Sequence, residues 1–207
     1  MRALPLMLAM GLVAGFSGVA AAGESPWTVK VGASQIKPKN SDVIAGFDMN
    51  VSKELGLTPS IEYKFSPNLV GEVLLAIPFE HDVEVPGAGK VASFKHLPPT
   101  FTAKYLFSPE ATFSPYVGIG LNYTLVFGEE LTATGKAATA SNKLTGSDSI
   151  GLAATAGLEY RLPNSPWGVA LDVRYIKISS DLKLDGNKIG TLKVDPLVVG
   201  LSAAYHY

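Results

Sequence analysis

The feature that most constrains this chain is an alternation in which every second residue is apolar, and it recurs in eight segments. Successive side chains of a β-strand point to opposite faces, so this period predicts strands with one apolar face. The apolar positions are Trp27/Val29/Val31/Ala33, Leu55/Leu57/Ile61/Tyr63/Phe65, Val73/Leu75/Ile77/Phe79, Phe101/Ala103/Tyr105/Phe107, Val117/Ile119/Leu121/Tyr123/Leu125/Phe127, Ile150/Leu152/Ala154/Ala156/Leu158/Tyr160, Trp167/Val169/Leu171/Val173/Tyr175 and Leu197/Val199/Leu201/Ala203/Tyr205/Tyr207. Segments of about ten residues have the length of transmembrane β-strands.

The connections between these segments are of two alternating kinds. The stretches 66–68, 108–114 and 162–166 are short and rich in Pro, Ser and Asn. The stretches near 35–53, 80–92, 128–148 and 179–192 are long and are interpreted as loops. Short turns at one end and long loops at the other are typical of outer-membrane barrels, so we predict an all-β, eight-stranded, antiparallel up-and-down transmembrane β-barrel.

The first residues have the features of a secretory signal. Arg2 precedes an apolar run from Ala3 to Gly18, and Ala20-Ala21-Ala22 offers a small-residue cleavage site. The sequence therefore predicts a cleaved signal peptide over 1–22 and one barrel domain over 23–207. Beyond the signal, no apolar run approaches the roughly 20 residues of a spanning helix, so a membrane-embedded form must be a closed sheet with paired backbone groups.

Two classes of barrel fit the alternation, and they differ in which face points inward. A soluble ligand carrier of the lipocalin type keeps its apolar face inside, whereas a membrane barrel turns it toward lipid. Aromatic residues of the apolar face stand beside the short turns (Tyr63, Phe65, Tyr105, Phe107, Tyr160, Trp167, Tyr205 and Tyr207) and near the long loops (Phe79, Phe127 and Tyr175). Two aromatic belts around an aliphatic band favour the membrane barrel.

The opposite, inward positions carry charges toward the short turns. They are Lys30, Glu62, Lys64, Glu72, Lys104, Glu159, Arg161, Asp172 and Arg174. The interior of an eight-stranded barrel is just wide enough for side chains, and charges confined there persist when they are paired. We expect a salt-bridged plug at the periplasmic end, although the same charges would equally serve only to hold the barrel together.

Toward the long loops the inward positions become apolar. The predicted channel lining is Leu74, Ala76, Pro78, Pro98, Val126, Ile176 and Val198. An apolar lumen above a charged floor is a poor path for ions and a plausible entrance for a hydrophobic molecule. A simply packed barrel core explains the same residues.

Prolines interrupt the third and fourth segments. Proline donates no ladder hydrogen bond and is confined to strand edges, bulges and ends. Pro78 and the pair Pro98-Pro99 lie on either side of one long loop. Weak pairing there would leave a lateral opening in the barrel wall; the alternative is that these prolines only end the strands.

Several motifs stand out against the alternation: His96-Leu97-Pro98-Pro99-Thr100, the run from Pro115 to Thr124, Asp195-Pro196, the aromatic C-terminal strand and, more loosely, Leu74 to Phe79. Together they resemble the outer membrane protein W family, which includes the AlkL-type hydrocarbon-uptake proteins. The resemblance covers essentially all of 23–207.

This resemblance implies a Gram-negative outer-membrane channel for the uptake of small hydrophobic molecules, blocked toward the periplasm and releasing them sideways into the membrane. It places Leu74 and the prolines at the channel wall. Arg174 departs from the family pattern, because a charge projects where an apolar lining is expected. The implied partners of a monomer are outer-membrane lipid, small hydrophobic molecules and, through the C-terminal strand, the barrel assembly machinery. With a formal net charge of −1, nothing suggests nucleic acid.

Other function classes have weaker support. An enzyme needs a nucleophile with a nearby base, and neither His81, His96 nor His206 lies in a His-x-Ser pairing. These histidines also lack a recognised metal-ligand spacing and the chain has no cysteine, so we expect no enzymatic activity, metal or other cofactor. The main alternative is a structural barrel that acts as an adhesin or a phage or toxin receptor, with Gly128 to Asp148 as its solvated, mobile loop.

Overall fold

The computed structural model describes residues 25–39, 42–44, 47–51, 53–85 and 87–207, and the predicted signal segment 1–22 lies outside them. The described ranges contain strands β1 (Trp27–Lys37), β2 (Asp42–Ile44), β3 (Phe47–Val51), β4 (Glu54–Leu57), β5 (Ser60–Lys64), β6 (Leu69–Leu74), β7 (Phe79–Val85), β8 (Gly89–Leu97), β9 (Thr100–Leu106), β10 (Phe113–Leu131), β11 (Leu144–Gly146), β12 (Ser149–Arg161), β13 (Trp167–Ile176), β14 (Ser179–Leu184), β15 (Asn187–Lys193) and β16 (Leu197–His206), and helix α1 (Ala133–Thr139).

A closed antiparallel ladder forms the lower barrel. Strands β1, β5, β6, β9, β10, β12, β13 and β16 pair in that order. The last strand closes the ladder on the first, from Thr28 opposite His206 to Lys37 opposite Leu197. Closure satisfies the backbone groups of the wall internally, as lipid demands. The predicted eight-stranded antiparallel barrel is confirmed.

Side chains of the lower barrel have the polarity of a membrane protein. Apolar residues such as Ile119 and Ile150, each 75% exposed, point outward, whereas Lys104 and Asn122 are buried inside. At the short-turn end the outward rings touch edge to face in the series Trp27, Tyr63, Phe65 and the series Trp167, Tyr205, Tyr207. This arrangement excludes the lipocalin-type alternative, which needs the apolar face inside.

The wall continues above the lower barrel, and there its polarity reverses. We call this part the upper barrel; it comprises β7, β8, the end of β10 beyond Phe127, α1, β11, β14 and β15. Val83 and Phe94 are buried inside it, while Glu84 and Lys95 are exposed on its outer face. A wall with apolar residues inside and charges outside suits water, so the upper barrel stands clear of the lipid.

The stretches predicted to be long loops are therefore largely folded, and that prediction was wrong. The 80–92 stretch contains most of β7 and the start of β8, 128–148 contains α1 and β11, and 179–192 is the β14–β15 hairpin. The strands were predicted from apolar residues on the outward face. Above the membrane the outward residues are charged and the apolar residues of the alternation point inward, so these strands were not recognised.

Helix α1 is seated closely on β8. The Thr132 hydroxyl accepts from the Gly135 N–H at 3.1 Å, and the Thr132 N–H donates to the Val91 carbonyl at 3.0 Å. A Cβ at Gly135 would lie 2.0 Å from that carbonyl oxygen, so only glycine permits this approach. The stretch expected to be a mobile loop is packed against the wall. No helix in the described ranges is long and apolar enough to cross a membrane.

Closure of the barrel depends on a close backbone approach at Gly32. A Cβ there would lie 2.4 Å from the Leu201 carbonyl oxygen and 2.5 Å from the Ser202 Cβ, both on β16. We expect Gly32→Ala to lower the free energy of unfolding by about 1–3 kcal/mol, the usual cost of overpacking. Urea unfolding of the purified barrel in detergent measures this change.

The matched control is Gly71→Ala. The nearest atoms to its added Cβ belong to the ring of Phe65, an exposed side chain that can move aside. An equal loss of stability in the two variants would show that the closing contact has no special role.

Candidate functional site

The interior of the barrel is divided into levels along its axis. From the short-turn end these are an open mouth, a layer of paired charges, a layer of packed apolar side chains and an apolar cavity. We call them the lower mouth, the charged layer, the packed layer and the upper cavity.

Glu72 is the centre of the charged layer. Its Oε1 accepts from Lys104 Nζ at 2.8 Å and from Arg174 Nη2 at 3.0 Å, and its Oε2 accepts from Arg174 Nη1 at 2.7 Å. Arg174 Nε also donates to Asp172 Oδ1 at 3.0 Å. Glu72 is only 3% exposed. Such a bidentate, charge-assisted arrangement is the geometry in which a buried carboxylate is best satisfied.

The same network continues to the closing strand. Lys104 Nζ donates to Glu62 Oε1 at 2.6 Å, and Lys30 Nζ lies 3.0 Å from that same oxygen. Lys30 also donates to Glu159 Oε2 at 2.7 Å. The other oxygen of Glu159 accepts from Arg161 Nε at 3.2 Å and lies 2.9 Å from His206 Nε2. Bases and acids from opposite walls are thus joined across the lumen.

Tyr116 fills the middle of the charged layer. The ammonium of Lys104 lies 4.6 Å from the centre of its ring, and that of Lys30 lies 5.6 Å away. Both distances are within cation–π range. The ring rests over Gly157 on β12, where an added Cβ would lie 2.4 Å from the Tyr116 Cζ. Sequence reasoning assigned no role to Tyr116; the available signal was an aromatic residue at an inward position opposite a glycine.

Lys64 stands apart from the other predicted plug residues. Its side chain is 36% exposed in the lower mouth, and its ion pair in the described chain is a long contact of 3.9 Å with Glu110. The lower mouth has a volume of about 340 Å³ and is also bordered by Ser114, Arg161 and His206. The eight other predicted charges join the network; Lys64 faces the same interior but lies below its plane.

Four of the residues predicted to line a channel lie below the upper cavity and do not border it. Ile176 and Val198 are buried with Ile36 and Ala153 in the packed layer, and Ala76 packs against them. Leu74 lies lower, beside Asp172 and Arg174 of the charged layer. The prediction assumed an open lumen at these positions. The side chains of the packed layer come from the neighbouring strands β12, β13, β16 and β1, and Ala76, which follows β6 across the narrow interior, packs against them.

The upper cavity lies between the strands of the upper barrel. It has a volume of about 110 Å³ and is lined mainly by aliphatic residues and the aromatic ring of Phe94, with a few polar residues, among them His96, Thr124 and Glu129. Val126 was predicted at this position, whereas Val83, Leu131, Leu144, Leu182 and Leu192 were missed because they lie in stretches taken as loops. Apolar residues that alternate along the inward face, such as Val83 and Val85, were the sequence signal that could have identified these lining residues.

A gap in the wall lies beside the predicted prolines. The β6–β9 ladder ends with Leu74 opposite Thr100, and the β7–β8 ladder begins with Phe79 opposite His96. Between them, 75–78 and 98–99 are described but belong to no strand. We call these two segments the wall gap; they contain Pro78, Pro98 and Pro99. On the side away from 98–99, segment 75–78 keeps its backbone hydrogen bonds. The Leu75 and Ile77 N–H groups donate to the Pro59 and Leu57 carbonyls.

A buried amide holds one side of this gap from within. Asn122 Nδ2 donates to the Pro98 and Pro99 carbonyls at 3.2 Å each and to Thr100 Oγ1 at 2.9 Å. Its Oδ1 accepts from the Thr124 hydroxyl at 2.6 Å. Asn122 is fully buried. A side chain therefore supplies hydrogen bonds that the strand ladder does not make at these prolines.

Exposed charges on part of the upper barrel are paired along its outer wall. Lys90 lies 2.6 Å from Asp82, Lys95 lies 3.4 Å from Glu80, and Lys188 lies 2.8 Å from Asp181. Hydrogen bonds from Lys188 and Thr191 hold the pKa of Asp181 below its usual range. Its carboxylate therefore stays charged, and paired, to lower pH than an isolated aspartate.

His96 and His206, the two histidines whose side chains the structure describes, lie in different places. His96 borders the upper cavity, whereas His206 lies at the lower mouth with Nδ1 2.9 Å from the Thr28 hydroxyl. Nothing is described of the His81 side chain. Among the described residues, no group of three His, Cys, Asp or Glu side chains could hold a metal ion.

A closed barrel with lipid-facing aromatic belts and a charged interior defines an outer-membrane β-barrel protein. The family model described as OmpW family matches residues 22–207, and the chain belongs to that family. It is 34% identical to outer membrane protein W of Vibrio cholerae serotype O1, with 89% of each chain covered. It is 33% identical to outer membrane protein W of Escherichia coli strain K12, covering 86% of this chain and 87% of the relative. The protein is therefore located in the outer membrane.

Solved structures share the same architecture. The crystal structure of OprG from Pseudomonas aeruginosa matches with a TM-score of 0.75 at 26% identity, covering 89% of this chain and 97% of that one. The NMR structure of outer membrane protein W from E. coli matches with a TM-score of 0.62 at 30% identity, over 90% and 100% of the two chains. AlkL in lipid bilayers matches with a TM-score of 0.68 at 23% identity, over 92% and 94% of the chains, and this likeness concerns the fold alone.

Removing the central carboxylate of the charged layer tests whether the layer is dry. Glu72→Ala leaves Lys104 and Arg174 without their shared partner, and we expect a loss of about 3–5 kcal/mol in the free energy of unfolding. Glu62→Ala in the same chain should lower it further, because Lys104 then loses its second partner and Lys30 loses one of its two. The urea midpoint in detergent measures both losses.

Glu80→Ala is the control for this test. It removes a carboxylate whose pair with Lys95 is about half exposed, so the midpoint should hardly change. A midpoint for Glu72→Ala that equals the unaltered one would mean that water, and not pairing, satisfies the layer.

Proposed function

We propose that this protein is an outer-membrane channel for the uptake of small hydrophobic molecules, which enter the upper cavity and leave sideways through the wall gap. The observation that carries the proposal is the upper cavity, whose apolar lining ends above a packed floor. We also propose that the chain acts as a monomer and is inserted by the barrel assembly machinery, which would recognise β16.

The chemistry of the upper cavity supports an apolar ligand. The surface that the cavity exposes is almost wholly apolar, so a polar solute would lose its water without gaining hydrogen bonds. A cavity of about 110 Å³ is of the same order as the roughly 150 Å³ engineered cavity that stays dry and binds benzene or xenon. The supported substrate class is a small alkane or a single aromatic ring.

The levels below the cavity argue against axial passage. A solute moving toward the periplasm would have to displace Ile176 and Val198 and then separate the ion pairs around Glu72. Paired buried charges offer an apolar molecule no compensating contact, and parting them leaves charges unpaired. This obstacle is also why we expect the protein to conduct ions poorly.

The wall gap supports a lateral exit. Opening the wall elsewhere breaks ladder hydrogen bonds, but between 75–78 and 98–99 the described ladder is already interrupted. Proline cannot donate the missing bonds. The motif His96 to Thr100, which resembles the AlkL-type hydrocarbon-uptake proteins, contains one side of this gap.

The alternative function, an adhesin or receptor, was expected to use a solvated, mobile loop over 128–148. In the structure this stretch contains α1, which packs against β8 and whose Gly135, Ala138 and Thr139 border the upper cavity.

A charge placed in the upper cavity tests the channel. We expect Val126→Asp to slow the uptake of octane at least tenfold, because burying a carboxylate among aliphatic side chains costs several times the roughly 1.4 kcal/mol that corresponds to tenfold. Uptake is measured in cells that express equal amounts of folded protein, judged by heat-modifiable mobility. Thr134→Asp, which adds the same charge on the exposed side of α1, should transport normally. Equal rates for all three proteins would reject the cavity as the route.

A reversible cross-link tests the exit. Paired cysteines, one in 75–78 and one in 98–99, should block octane uptake when they are oxidised and restore it when they are reduced. The control pair is Val73→Cys with Phe101→Cys, which are already opposite each other in the ladder below the gap. If the correctly inserted, oxidised protein transported octane at the unaltered rate, the lateral route would be excluded.

A further inference from the structure

Three exposed lysines lie on adjacent strands just above the lipid-facing band. Lys37 is opposite Leu197, and Leu197 is opposite Tyr175 on its other side. Lys177 follows Tyr175 by two positions and shares its outward face. Lys193 is opposite Ser179 and precedes Leu197 by four positions, so it lies on the strand between those of Lys37 and Lys177. We call Lys37, Lys177 and Lys193 the basic wall.

The height of the basic wall follows from strand geometry. Trp167 lies in the lower aromatic belt, and Tyr175 is the outward aromatic residue near the upper end of the same strand. Eight residues at about 3.3 Å each, tilted by about 40°, span roughly 20 Å, close to the apolar band of about 25 Å in such barrels. Lys177 therefore stands at the level of the lipid headgroups.

Two lysines of the basic wall differ from the lysines on the outer face of β8. In the described chain Lys37 and Lys177 make no ion pair, whereas Lys90 and Lys95 face Asp82 and Glu80. The nearby Asp195 uses Oδ1 to accept from the Ile178 N–H at 3.0 Å. Lys37 and Lys177 therefore offer positive charge to a ligand from outside.

We propose that the basic wall binds the phosphate groups of an anionic glycolipid in the outer leaflet. Lys177 stands at headgroup height, Lys37 is paired at the level of Tyr175, and Lys193 lies a short way above, opposite Ser179. All three are exposed, so a lipid phosphate can reach them while its acyl chains lie on the apolar band below. Lysine near an anionic membrane surface contributes about 1 kcal/mol, or about fivefold in affinity. The inference depends on the outer-membrane location and is independent of the proposed channel.

The test compares lipid binding by two variants of equal charge. The purified barrel in neutral detergent is titrated with bisphosphorylated lipid A and with the same glycolipid after its phosphates have been removed. We expect K37Q/K177Q/K193Q to bind the phosphorylated form at least roughly twenty-five-fold more weakly, as Lys37 and Lys177 at about fivefold each imply. Binding by the unaltered barrel should also weaken as salt rises.

The matched control is K90Q/K95Q/K136Q, which removes the same charge from β8 and α1 and should bind nearly as the unaltered barrel does. Equal weakening of both variants, equal affinity for the dephosphorylated glycolipid, or equally tight binding of soluble polyphosphate would each overturn the proposal, because general attraction or the acyl chains would then explain the binding. The altered lysines are exposed, so folding should persist; if the triple variant does not fold, K177Q alone carries the same test at about fivefold.

Discussion

The rest of this structure depends on one requirement, that backbone groups facing lipid be paired within the protein. The ladder between β1 and β16 meets it by closing the sheet, and closure fixes a narrow interior. Charges inside that interior can neither reach bulk water nor move apart, which is why Glu72, Lys104 and Arg174 are bonded so fully. The requirement ends at the upper edge of the lipid band, where the wall gap lies, and it does not apply above that edge, where the upper cavity lies.

The lower barrel was predictable from the sequence because lipid imposes a single rule on the outward face. That rule identified the eight strands, the short turns and the inward charges, including Arg174, whose departure from the family pattern is explained by its bonds to Glu72 and Asp172. The partners themselves were not predictable. Lys30 on β1 meets Glu159 on β12, and such contacts across a lumen depend on strand tilt and side-chain reach rather than on alternation.

The upper cavity was the hardest part to predict, and the reason is the change of solvent along one wall. A strand such as β10 runs from lipid into water without interruption, so its apolar face passes from outside to inside within the same element. Val83, Phe94 and Leu182 are ordinary core residues of a water-exposed barrel, but they lie in stretches whose outward residues, such as Glu84, Lys95 and Lys183, are charged instead of apolar. A prediction that lets the apolar face change from outward to inward beyond the upper aromatic belt would identify these residues.

On the proposed lateral route, the position of the wall gap decides the level at which a released molecule enters the bilayer. The Tyr123 N–H donates to the Pro99 carbonyl, and the Tyr123 side chain points outward, so the gap opens near the upper edge of the lipid-facing wall. A solute that leaves there enters the outer leaflet and must diffuse across the midplane of the bilayer without help from the protein. An alkane does so freely, whereas a molecule with an ionised headgroup is held back by the cost of dehydrating it. On the proposed route, the membrane therefore adds a second selection step after the protein.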